Sequence, residues 1–128
     1  MSKFVLIDDE PVFHKIVQMT IKNSELSREA TYSIEGEVIL DYLEEKKLDS
    51  QSLPDYIFLD LHMPMFDGWD FLNKFQNLYQ SLKKNIKIYI VTSSINPADL
   101  NRSKLYPFVT SFISKPIMKE VFDGITYD

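Results

Sequence analysis

Cysteine is missing from all 128 residues, which removes disulfides, thiolate metal sites and cysteine nucleophiles together. Long apolar runs are missing as well, and none reaches the ~18 residues of a membrane span. An apolar strand pattern begins straight after Met1-Ser2-Lys3, so no signal peptide is expected. Asn101-Arg102-Ser103 matches a glycosylation sequon but carries little weight without one. A soluble, cytoplasmic location is the expectation. Nor is there an excess of positive charge. Lys and Arg number 14 against 19 Asp and Glu, a formal net charge of -5, and the basic residues are scattered. That argues against nucleic-acid phosphates as the main partner. There is no repeat, low-complexity tract or internal linker, so residues 1–128 are expected to form a single domain.

Hydrophobic residues make up 45% of the chain, enough for a real core. Their spacing switches between strand-like runs and helical stripes, the pattern of an α/β domain with a mainly parallel sheet. Strands are expected at Phe4 to Asp8, Ala30 to Ile34, Tyr56 to Asp60, Ile86 to Thr92 and Val109 to Ile113. The third is apolar on both faces and belongs at the sheet's centre. A first helix opening at Pro11 places Phe13, Ile16, Val17, Thr20 and Ile21 on one face. Gly36 opens a second helix through Val38, Ile39, Tyr42 and Leu43, and Lys46 to Asp55 reads as a surface loop. Gly68 opens a third helix, with Phe71, Leu72, Phe75, Leu78 and Leu82 inward. Pro97 to Leu105 forms a short fourth helix, and the last, carrying Met118, Val121, Phe122 and Ile125, is short and broken by Gly124.

Asp8 and Asp9 close the first apolar run, and Asp60 closes the third. Neighbouring parallel strands would bring these carboxylates together at one sheet edge. Like charges held that close either trap a proton or hold a divalent cation. In open sheets of this kind, chemistry sits beyond the C-terminal ends of the strands. Thr92 and Lys115 end the fourth and fifth strands and fall at the same edge.

With Asp8-Asp9, Asp60, Met63-Pro64 followed by Asp67-Gly68, Thr92-Ser93 and Lys115-Pro116 in these places, the chain resembles the response-regulator receiver domains of two-component signalling along its whole length. The resemblance implies a flavodoxin-like, doubly wound sheet of five parallel strands in the order 2-1-3-4-5, with five helices. It implies that Asp60 accepts a phosphoryl group from a sensor histidine kinase or a histidine phosphotransfer protein. Asp9, Asp60 and the backbone carbonyl of His62 would hold Mg²⁺, with Asp8 acting directly or through water. Thr92 and Lys115 would contact the phosphoryl oxygens. Phe112 would be the switch aromatic that turns as Thr92 moves, altering the surface of the fourth helix, fifth strand and fifth helix. No turnover of an external substrate is implied, only Mg²⁺-dependent phosphorylation and dephosphorylation of the chain itself. Contact with a downstream protein is implied, and none with nucleic acid or membrane.

Physical chemistry supports that set. Phosphoryl transfer is mainly positioning and charge neutralisation. The carboxylates of Asp8, Asp9 and Asp60 exceed the charge of Lys115 by an amount that one Mg²⁺ would cancel, and Mg²⁺ prefers oxygen ligands. A receiver-like interaction module that works without phosphorylation is the alternative, and the intact acidic set argues against it. A phosphatase of the haloacid-dehalogenase kind is disfavoured, because Asp60-Leu61-His62 lacks a second acid two positions on and there is no cap domain. With no residues past the last helix, the chain is expected to be a stand-alone receiver, or one cut from a larger regulator.

Taken singly, these residues have ordinary explanations. An Asp at a strand end caps a turn or helix, and Phe112 reads equally well as plain core. His62 reads either as a modulator of water access to the phosphoryl group or as a partly exposed loop residue whose side chain binds nothing, His14 as surface, Asp67-Gly68 as a turn and helix start, and Trp69 as packing. A cis Lys115-Pro116 bond is expected. Phe108-Val109, preceded by Tyr106-Pro107, stands where the family often has Gly-Ala, which implies an altered output face.

Overall fold

Strand burial sets the architecture. In a computed structural model that describes residues 3–93 and 95–126, β1 (Phe4–Ile7), β2 (Ala30–Ser33), β3 (Tyr56–Asp60), β4 (Lys87–Thr92) and β5 (Val109–Ser114) pair in parallel in the order β2-β1-β3-β4-β5. This is the flavodoxin-like order. Helices α1 (Pro11–Thr20), α2 (Gly36–Glu45), α3 (Gly68–Leu78), α4 (Pro97–Ser103) and α5 (Lys119–Thr126) connect or follow the strands. No helix among the described residues is long and apolar enough to cross a membrane.

Side chains alternate along a strand, so the sheet sorts its own core into two layers. Val5, Ile7, Ile57, Leu59, Ile88 and Ile90 meet α2 and α3 through Ile39, Leu40, Leu43, Phe71, Leu72 and Phe75. The opposite face is aromatic: Phe4, Tyr56, Phe58 and Tyr89, together with Leu6 and Val91, meet α1 and α5. Phe58 stacks on Tyr89 at 5.3 Å and lies edge-on to Phe4 at 5.5 Å.

Helix stripes match the pattern less well. The buried face of α1 is Phe13 and Val17, continued by Ile21, whereas Ile16 is exposed and Thr20 only half-buried. At about 100° per residue, Ile16 lies roughly 100° around the helix from the centre of that face, past its edge. For α2 the buried set is Gly36, Ile39, Leu40 and Leu43, and Val38 and Tyr42 face solvent on the far side. The expected stripe therefore mixed two faces. Leu82 lies past α3 and a following 3₁₀ turn, Tyr79–Ser81, and is half-buried. Helix α4 stops at Ser103, leaving Leu105 exposed, and Met118 precedes α5 and is exposed. Helix α5 runs through Gly124 without a break, because one glycine costs a helix only about 1 kcal/mol, which packing of Phe122 and Ile125 can offset. The strands end within a residue or so of expectation, with Asp8 and Ile34 just outside β1 and β2 and Ser114 inside β5.

Candidate functional site

The sheet register decides which strand ends are level. Ile7 is paired with Leu59, so Asp8 and Asp60 follow at the same height. Asp60 pairs with Val91, which puts Thr92 one step on, and Thr92 pairs with Ser114 ahead of Lys115. The Lys115 N–H donates to the Thr92 carbonyl at 2.8 Å. The Lys115-Pro116 bond is cis, as expected.

Asp8 is fully buried, and its N–H extends the ladder to the Ser33 carbonyl at 3.0 Å. Its Oδ1 accepts the Glu10 N–H at 2.8 Å, an Asx turn that bends the chain toward α1. His14 Nε2 lies 2.7 Å from the Asp8 carbonyl and donates to it. His14 is thus half-buried and engaged, against its reading as a surface residue, and its ring lies 5.7 Å from that of Tyr32.

Asp60 ends β3 and is only 3% exposed. The loop beyond it is gripped by α3. Asp67 caps α3 by accepting the Asp70 N–H at 2.9 Å, and the Asp70 carboxylate accepts the Asp67 N–H at 2.9 Å in return. Gly68 donates its N–H to the Leu61 carbonyl at 3.1 Å. A Cβ at Gly68 would stand 2.6 Å from the Asp60 carbonyl oxygen and 2.7 Å from Leu61 Cα, so only glycine permits this approach. Met65, at the tip of the loop, has φ 67° and is fully exposed.

Lys115 ties the edge together. Its Nζ lies 2.7 Å from Asp8 Oδ2, 3.4 Å from Glu10 Oε1 and 3.7 Å from Asp60 Oδ1. Asp8 Oδ2 is buried without a well-angled hydrogen bond, and the nearby ammonium supplies the compensating charge. Burial of Asp60 and the negative charge of Asp8 push the Asp60 pKa up from 3.8 to about 6, and Lys115 only partly opposes them. Burial works against the charge of Lys115, but its bond to Asp8 and the field of Asp60 outweigh it and raise its pKa.

Asp8, Asp9, Glu10 and Asp60 each offer a carboxylate oxygen, all within 4.8 Å of one another. Hard oxygen donors in excess of the local positive charge fit a hard divalent cation rather than a thiophilic one. The crowding of these four carboxylates and the raised pKa of Asp60 mark where such a cation would relieve repulsion. Thr92 is buried at the end of β4. His62 is exposed, with its N–H 3.4 Å from Asp60 Oδ1 and its Nε2 4.0 Å from an Asp99 carboxylate oxygen, so its ring has a neighbour after all. Phe112 is half-buried against the core layer that the sheet forms with α2 and α3.

The model of the response regulator receiver domain matches residues 4–124. The chain belongs to that family. A relative of this receiver, a probable methanogenesis regulatory protein (FilR2) of Methanothrix harundinacea, is 24% identical over 116 residues, covering 91% of this chain and 73% of that one. The crystal structure of a two-component response regulator from Cytophaga hutchinsonii superposes with a TM-score of 0.85 at 20% identity, over 99% of this chain and 95% of that one. The phosphorylated cyanobacterial phytochrome response regulator RcpA superposes with a TM-score of 0.77 at 26% identity, over 97% and 90% of the two chains.

Three parts of the receiver's site escaped the sequence: Glu10, Phe13 and His14. Glu10 extends the acidic run of Asp8-Asp9, a signal that was available. Phe13 read as core, and nothing in a helical stripe announces that its ring lies 4.4 Å from the ammonium of Lys115, just past β5. His14 is separated from Asp8 by a turn whose direction the sequence does not specify.

Proposed function

We propose that this receiver accepts a phosphoryl group on Asp60 from a sensor histidine kinase or a histidine phosphotransfer protein. The Lys115 ammonium, set between the carboxylates of Asp8 and Asp60, carries this reading. An Asp60 oxygen would attack phosphorus, the P–N bond of the donor phosphohistidine would break, and the electron pair would leave with the imidazole. Asp8 holds the lysine while Asp60 acts. Lys115, joined by the Thr92 hydroxyl, would then meet the phosphoryl oxygens.

Mg²⁺, held by Asp9, Asp60 and the His62 carbonyl with Asp8 close by, would neutralise the transferring group. Its fit rests on the oxygen donors described above. That RcpA exists in a phosphorylated form agrees with the reading for this chain.

Phosphorylation places about two negative charges where Asp60 had one. Thr92 would move toward them and Phe112 would turn into the space, changing the α4-β5-α5 face for a downstream protein. No external substrate is turned over, and the setting is cytoplasmic. Mass spectrometry after exposure to a small phosphodonor with Mg²⁺ tests the proposal. One added phosphoryl mass, lost in Asp60→Asn, is expected. Absence of uptake would favour an interaction module that keeps the fold and works without phosphorylation.

A further inference from the structure

The Lys115 side chain is 12% exposed, and its ammonium has three N–H donors to place. Carboxylate oxygens of Asp8, Glu10 and Asp60 stand at 2.7, 3.4 and 3.7 Å. The Phe13 ring is the neighbour without charge: Nζ lies 4.4 Å from its centroid. Phe13 is buried on α1, just past the Asp8-Asp9 turn, so one short stretch of chain supplies two of the three carboxylates, Asp8 and Glu10, and the ring.

A cation over an aromatic face is attracted by the ring quadrupole, more strongly where water is excluded. Among the described residues, the ring differs from Asp8, Glu10 and Asp60, the ammonium's charged partners, in holding it without adding negative charge. That difference matters at an edge where the carboxylates of Asp8, Asp9, Glu10 and Asp60 already crowd together. Another carboxylate would grip the ammonium more firmly and also repel an arriving phosphoryl group. An aliphatic side chain would fill the space and leave the ammonium free to swing toward Glu10, which is exposed.

We propose that Phe13 is a positioning residue for Lys115, its ring face holding the ammonium against Asp8 and beside Asp60. The proposal rests on the acceptor chemistry given above to Asp60 and Lys115.

Fluorinated phenylalanines at position 13 withdraw electron density from the ring face stepwise with little change in volume. With acetyl phosphate and Mg²⁺, the phosphorylation rate of Asp60 is expected to fall along the series. The trifluorinated ring should be about 3- to 10-fold slower than phenylalanine, the range for a partly desolvated cation–π contact. The denaturant midpoint should stay level across the series, which separates this role from plain packing. In the metal-free protein, the Lys115 ε-methylene protons should resonate upfield through the ring current and return toward ordinary positions in Phe13→Leu. A rate indifferent to fluorination overturns the proposal, and so do ε-methylene protons without the upfield displacement. If the unsubstituted protein takes up no phosphoryl group, the acceptor reading is what fails, and the proton shifts still decide whether the ring holds the lysine.

Discussion

β3 and β5 lie on either side of β4 and are built differently. Every residue of β3 is buried, it pairs on both sides, and its end is gripped by the α3 cap and by Gly68. β5 is an edge strand. Thr110, Ser111 and Ser114 are exposed, Val109, Phe112 and Ile113 are half-buried, and its register against β4 slips between Ile88 and Tyr89. The helices beside it, α4 and α5, are the two shortest. Regions with few buried apolar contacts open most easily. The strand that carries Asp60 is therefore held fast, and the strand that would report its state has room to move.

The firmest place to break this contrast is Gly68. Alanine there would drive a Cβ into the backbone of Asp60 and Leu61. A loss of about 2–3 kcal/mol is expected, read as a lowered denaturant midpoint. A Gly68→Ala variant as stable as the parent would mean that the loop after Asp60 is not tightly gripped.

Titration sharpens the contrast. The Asp60 pKa stands at about 6 in the folded chain against 3.8 for the ordinary group, so the folded state holds this proton more tightly. The stability this provides is complete below the unfolded value and is lost as the pH rises through the folded one. Metal-free protein should thus lose up to about 3 kcal/mol relative to Asp60→Asn between about pH 4 and pH 7. Parallel stability curves for the two proteins would show that the carboxylates do not strain the fold. Added Mg²⁺ should flatten the difference.

The smallest effect belongs to the β5 side. The Tyr106 hydroxyl donates to Asn73 Oδ1 at 2.6 Å, bridging the segment before β5 to α3. Because Asn73 is exposed, water can replace the lost donor, and Tyr106→Phe should cost no more than about 1 kcal/mol. A penalty as large as that of Gly68→Ala would erase the proposed difference between the two strands.

The aromatic residues ahead of β5 show how far a departure from the family pattern can be read in advance. Phe108-Val109, preceded by Tyr106-Pro107, stands where the family often has a smaller pair, and both Tyr106 and Phe108 are buried. Tyr106 stacks on Trp69 at 6.1 Å, and Phe108 meets Phe75 edge-on at 4.9 Å. Arg102 of α4 lies 4.3 Å over the Trp69 ring. That Trp69 packs was foreseen. Its partners on α4 and before β5 were not, because they come from segments joined only by the fold. Helix faces were misjudged for a related reason: Ile16, Val38 and Tyr42 satisfy a helical period, but a period does not say where the sheet lies.

Local chemistry sufficed for the strands, their parallel connection and the residues that end them, because β-runs, helix starts and Asp, Thr or Lys at run ends are written in neighbouring positions. Combined with the family's motifs, those ends located the acidic edge. Tertiary structure alone decided that His14 holds the Asp8 carbonyl and that Phe13 lies under Lys115. Each of these depends on the register between strands and the rotation of α1 on the sheet. Both are set by how the whole core packs, which no single stretch of chain encodes.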